Sequence, residues 1–197
     1  MFQLRTLRLP AWILFCSTLA LAAPTAIAQQ DSPVKKRGKA AVEYRDKDIH
    51  VVAAYYYSQR NHDIPWLYFE SGLTTRDETV IHRDEIILRT PQGQDIALAS
   101  QKRVGDETKD IQRLLNNAKP VTHDIGSYFK QQGRFEDMQL FRLPFGRIIH
   151  DEFIVDRERV AVGPLFFESP TGTWASGTYT LVVRHEKGTA ELPVELE

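Results

Sequence analysis

From about residue 48 onward, short apolar runs rich in β-branched and aromatic side chains are separated by Gly, Pro and Asp clusters, the texture of many strands joined by turns. Segment 49–58 is apolar on both alternations, with Val51, Ala53, Tyr55 and Tyr57 on one face and Val52, Ala54 and Tyr56 on the other. That pattern predicts a strand covered on both sides. A second strand is predicted over 66–74, with Gly72 as a candidate bulge. Segments 85–90 and 95–100 read as a hairpin closed by Thr90-Pro91-Gln92-Gly93, a type I turn with Pro at the second position and Gly at the fourth. Ile86 and Leu88 are then expected to share a face with Ile96 and Leu98.

After Asp106 the period changes. Ile111, Leu114, Leu115 and Ala118 recur at i, i+3, i+4 and i+7, which predicts one amphipathic helix over 108–118, ending before Pro120. Ile125, Tyr128 and Phe129 repeat that spacing briefly, enough for a helical turn. Strand texture returns over 135–143, 152–155, 159–162 and 165–167. The chain closes with a predicted hairpin over 177–185 and 189–196. Alternation turns Tyr179, Leu181 and Val183 inward to match Ala190, Leu192, Val194 and Leu196, leaving Thr178, Thr180, Val182 and Arg184 on the other side.

Within the closing segment, Trp174, Gly177, Tyr179 and Leu181 form a W-x-x-G-x-Y-x-L spacing ahead of the final hairpin. Residues 174–196 resemble the last strands of immunoglobulin-like β-sandwich domains, in which a Tyr near the start of the penultimate strand makes a corner through its hydroxyl. The resemblance implies an architecture and no ligand. The paired cysteines of such domains are missing here. The fold expected is therefore mainly β, an antiparallel immunoglobulin-like sandwich with one helical insertion at 108–118.

The N-terminus changes the picture by adding an address. Arg5 and Arg8 precede an apolar stretch at 11–23, and Ala26-Ile27-Ala28 is a small-x-small cleavage site, so 1–28 reads as a signal peptide and the mature chain is expected to start near Gln29. The apolar stretch is shorter than the roughly 20 residues that cross a bilayer. Residues 29–40, which include Lys35-Lys36-Arg37, are expected to be a flexible tether, and 41–197 a single domain. The one cysteine, Cys16, falls in the leader, which leaves the expected mature chain without thiol or disulfide chemistry. No N-x-S/T sequon is present, so a bacterial periplasmic or secreted location fits better than a eukaryotic one. A net charge of −1 argues against nucleic acid as a partner, and no later segment is apolar enough for a membrane span.

Candidate chemistry is sparse. Tyr55, Tyr56 and Tyr57 followed by Trp66, Tyr68 and Phe69 concentrate aromatic side chains, and Tyr55, Tyr57 and Trp66 are the candidate partner-binding residues for an envelope protein or glycan. Sheet cover is the competing role for the same side chains. A basic-aromatic loop over 141–149, with Arg142 and Arg147, is a further ligand candidate. Four of the six histidines lie beside acids, and His82, Asp84 and His150, with His123 or Asp151, form the alternative, a periplasmic metal-binding protein or metallohydrolase. His82 and Asp84 could share a strand face at i, i+2. No H-x-H, H-E-x-x-H or G-x-S-x-G motif occurs, so the leading expectation is a binding or assembly protein without cofactor or catalysis.

Overall fold

The computed structural model describes residues 32–121, 124–129, 133–141 and 149–197. The expected leader lies outside the described residues, as do His123 and positions 142–148 of the basic-aromatic loop. Segment Ser32–Glu197 is one compact unit. It is mainly β, with antiparallel sheets and a helical insertion.

In chain order the strands are β1 (Val34–Lys36), β2 (Ala41–Arg45), β3 (Ile49–Ala54), β4 (Trp66–Thr75), β5 (Thr79–His82), β6 (Ile86–Arg89) and β7 (Asp95–Ala97). Helices α1 (Gln101–Asp106) and α2 (Thr108–Ala118) follow, then β8 (Arg134–Asp137), β9 (Glu152–Val155), β10 (Arg159–Glu168), β11 (Gly177–His185) and β12 (Gly188–Leu196). A six-stranded sheet runs β1-β2-β3-β4-β10-β8 and a four-stranded one β12-β11-β6-β7, with β5 and β9 paired apart. All pairings are antiparallel except β8 with β10.

The closing hairpin has the expected register, with Tyr179 opposite Val194, Leu181 opposite Leu192 and Val183 opposite Ala190. These side chains meet Val51, Ala53, Leu67 and Phe69 of the larger sheet in one apolar core. The β6–β7 hairpin also follows the pattern: Leu88 faces Ile96, and the Gly93 N–H donates to the Thr90 carbonyl at 2.9 Å. Helix α2 spans the predicted residues and buries Ile111, Leu114 and Ala118.

Four differences from expectation have physical reasons. Val34–Lys36, expected within the tether, pairs with Tyr44–Val42 as an edge strand. Gly72 is no bulge, because it holds regular register with Val52 on one side and Val162 on the other. Its missing side chain makes room instead: a Cβ there would stand 2.6 Å from the Phe129 ring and 2.7 Å from Ile125, in the 3-10 turn Ile125–Phe129 that covers the outer face of β3 and β4. Expected strands 159–162 and 165–167 are one continuous β10. Pro164 is tolerated because Val162 and Phe166 turn their carbonyls toward the β8 side, so the proline's missing donor lies there, beyond the end of the β8 ladder. Finally, 98–100 leave the predicted strand so that the Ser100 hydroxyl can accept from the Arg103 N–H and cap α1.

Candidate functional site

The strand β3 is buried along its whole length, as its two-sided pattern predicts, but it ends at Ala54. The three tyrosines that follow take different positions. Tyr55 is 4% exposed, and its hydroxyl accepts the Glu195 N–H at 3.3 Å. Tyr57 is half-buried and shares a cavity lining with residues of the helices. Trp66 opens β4 at 4% exposure, with its ring under the Arg103 guanidinium at 5.9 Å. Of the three aromatic candidates, the structure therefore brings Tyr57 and Trp66 to one place and sends Tyr55 into the core.

That place is a cleft of about 560 Å³ between the helical insertion and the ends of β4 and β10. Tyr57, Trp66 and Leu114 supply its aromatic and apolar surface. Helix periodicity supplies the polar wall: Asp110, Arg113 and Asn117 fall at i, i+3 and i+7 and flank the apolar stripe on its Leu114 side, so burying Ile111 and Ala118 leaves these three along the cleft. Arg103 reaches across from α1. Its Nε lies 2.9 Å from both Glu168 carboxylate oxygens, its Nη2 lies 2.7 Å from one of them, and its Nη1 lies 2.9 Å from Glu107. Hydrogen bonding to Glu168 raises the Arg103 pKa further above its ordinary value, with Glu107 contributing after it. Arg113 donates to Asp110 at 2.6 Å. Both guanidiniums are thus engaged by carboxylates of the cleft's own lining, two against three, so the cleft offers fixed, directional hydrogen-bonding groups with a net charge of −1.

Of the histidine alternative, His82, Asp84 and His150 do not converge. β5 stops at His82, and Asp84 sits in the 3-10 turn Arg83–Glu85, so the shared strand face does not exist. His82 pairs with Glu152 at 3.1 Å on the surface, while Asp151 is taken by Arg83 at 2.8 Å and the His150 N–H donates to the Gln139 carbonyl. Among the described residues no three His, Cys, Asp or Glu side chains converge as metal ligands. Adjacent His and Asp positions were a weak signal because strand neighbours point apart. Phe141, the described end of the basic-aromatic loop, is buried edge-on against Phe166.

Sequence reasoning missed Arg103, Glu107, Asp110, Arg113, Asn117 and Glu168. A local signal existed for three of them, since the polar residues that flank the α2 stripe line the edge of whatever that helix packs on. Arg103 and Glu168 carry no such signal. Comparison with protein-family models, with curated proteins and with solved structures finds no match for this chain. Among the described residues no helix is long and apolar enough to cross a membrane.

Proposed function

We propose that the protein is an exported, non-catalytic binding protein of the bacterial cell envelope, periplasmic or secreted, that holds a neutral, hydroxyl-rich ligand, an envelope glycan, in the cleft beside α2. The observation that carries this reading is the pairing of Arg103 with Glu168 and Glu107, and of Arg113 with Asp110, around an aromatic floor. Guanidiniums already held by carboxylates, with one carboxylate in surplus, attract an anion weakly, yet the remaining lone pairs and N–H groups are oriented for hydroxyls. Tyr57, half-buried, contributes apolar surface for a sugar ring, and Asn117 adds a donor and an acceptor.

The scaffold is read as an immunoglobulin-like β-sandwich. Supporting it, the Tyr179 hydroxyl at the start of β11 donates to the Ala175 carbonyl at 3.0 Å, the bond a tyrosine corner makes, and the Trp174 ring stands edge-on to Tyr179 at 5.7 Å. The leader features of 1–28 support export.

Binding of the purified protein to an array of bacterial envelope polysaccharides tests the reading. Saturable binding is expected, weakened at least about tenfold by Tyr57→Ala and by Asn117→Ala with unchanged circular dichroism, a loss of about 1.4 kcal/mol. Failure to bind across the array, or binding indifferent to both variants, overturns it. Intact mass of the envelope-purified protein is expected to begin near Gln29; retention of Met1 contradicts export with cleavage.

A further inference from the structure

At another part of the molecule, three arginines meet from well-separated segments. Arg45 ends β2, Arg76 follows β4, and Arg157 sits in the turn between β9 and β10; together they line an open basin of about 320 Å³. None of these three guanidiniums forms an ion pair or side-chain hydrogen bond among the described residues. The reason is that the surrounding acids are engaged elsewhere. Asp77 pairs with Lys187, Glu78 and Asp156 pair with Arg159 at 2.6 Å each, and Asp46 accepts the Asp48 and Ile49 N–H groups at 2.8 Å. Within the basin, Lys47 lies a loose 3.8 Å from Asp48, so four cationic side chains face two carboxylates.

Two similar turns border the basin and present Lys47 and Arg157. In Asp46-Lys47-Asp48-Ile49 and in Asp156-Arg157-Glu158-Arg159 the leading Asp accepts the N–H groups two and three residues on, which pins each turn and projects a basic residue from its second position. The Arg76 N–H donates to the Asp48 carbonyl at 2.8 Å and ties the third element to the first turn. Buried His50 closes the floor with its ring 4.4 Å from Phe129. The Nε2 atom of His50 lies 2.9 Å from Glu43 but off the hydrogen-bonding direction, and Glu43 is itself held by Arg37.

We propose that this basin is an anion site for a phosphate group, gripped by Arg45, Arg76 and Arg157. Guanidinium forks bind tetrahedral oxyanions bidentately, and three unpaired ones, two at strand ends and one on a pinned turn, need no partner to be displaced first. The basin is wide enough to admit the group that carries the phosphate. This site is independent of the glycan cleft and stands if that reading falls.

Calorimetric titration of the purified protein at low ionic strength tests it with three probes: inorganic phosphate, glycerol 3-phosphate, and vesicles of phosphatidylglycerol in phosphatidylcholine. Saturable binding of at least one probe is expected, with an affinity for the soluble anions on the order of 1 mM. An Arg45→Ala/Arg157→Ala double variant should weaken it at least about tenfold, and the matching Lys variants should restore it only partly, because charge returns without the fork. Arg113→Ala, in the other cleft, should leave it unchanged. Binding of the soluble anions identifies a free or esterified phosphate, and binding of vesicles alone identifies a lipid headgroup. No saturable binding of any probe, equal binding by the double variant, or equal loss in Arg113→Ala overturns the proposal.

Discussion

The two cavities use the same residue type to opposite ends. In the helical cleft each arginine is locked to a carboxylate of the cleft's own lining; in the basin three arginines keep their hydrogen-bonding capacity free. The difference is not arginine content but whether the nearest acids are already committed. Asp77, Glu78 and Asp156 are drawn away from the basin by Lys187 and Arg159, whereas among the described residues no other cation pairs with Glu168. Pairing therefore decides what each cavity can attract, a glycan's hydroxyls in one and an oxyanion in the other.

Both cavities stand on one core, since Leu114 beneath the cleft and Ile49 beneath the basin belong to the same apolar cluster as Leu181. The largest expected effect follows from that. Leu181→Ala should cost about 2–5 kcal/mol, against roughly 0.5 kcal/mol for Thr180→Ala on the opposite face, as read from urea melts. Probes at the cleft and at the basin should lose signal together. Separate transitions would show that the two regions are not one cooperative unit.

Gly72→Ala should act next most strongly and on one side of the comparison. A methyl group driven against Phe129 and Ile125 should cost about 1–3 kcal/mol, and its structural effect should reach the basin floor through the Phe129–His50 contact while sparing the cleft. Amide shifts spread equally over both cavities would contradict that partition.

A smaller effect is expected from pH. Burial pushes the His50 pKa below its ordinary 6.5, with Glu43 opposing and Arg45 and Arg37 reinforcing the shift. In the window just below 6.5 the unfolded chain therefore binds more protons at this position than the native one, so stability should fall as the pH drops through that window. Chemical melts from pH 7.5 to 5.5 should show a shallower decline in His50→Gln than in the parent protein. Equal slopes would contradict the assignment.

The smallest stability change, and the sharpest functional one, belongs to the pairing itself. Removing the acids with Glu107→Gln and Glu168→Gln should alter stability by only about 1 kcal/mol, because the ion pairs are partly exposed. It should also free Arg103 and give the cleft measurable phosphate binding that it lacks in the parent. A cleft still indifferent to phosphate would mean that pairing is not what separates the two cavities.

Much of the strand framework could be read from the chain because it depends on local alternation. The register of β11 with β12 and the span of α2 follow from which faces are apolar, with no knowledge of distant partners. β2 was harder to see: its Glu43 breaks the apolar pattern, and the reason it can be buried, Arg37 and His50, lies outside the strand. Tyr57 and Trp66 were visible as aromatics but not as neighbours across a cleft, since the helix that completes the cleft lies far along the chain. The basin was hidden altogether. Arg45, Arg76 and Arg157 are ordinary surface residues in sequence, and only the sheet order brings their turns together; the shared Asp-x-acid-x form of two turns is the sole local trace.

The account is tested most directly by amide chemical-shift mapping of the isotope-labelled protein, titrated separately with inorganic phosphate and with a glycan that it binds. Phosphate should move signals around Arg45, Arg76 and Arg157, and the glycan should move those around Tyr57, Arg103, Arg113 and Asn117, with little overlap. Both ligands shifting one and the same set, or phosphate moving the helical cleft and not the basin, would contradict the division of roles drawn from the pairing of the arginines.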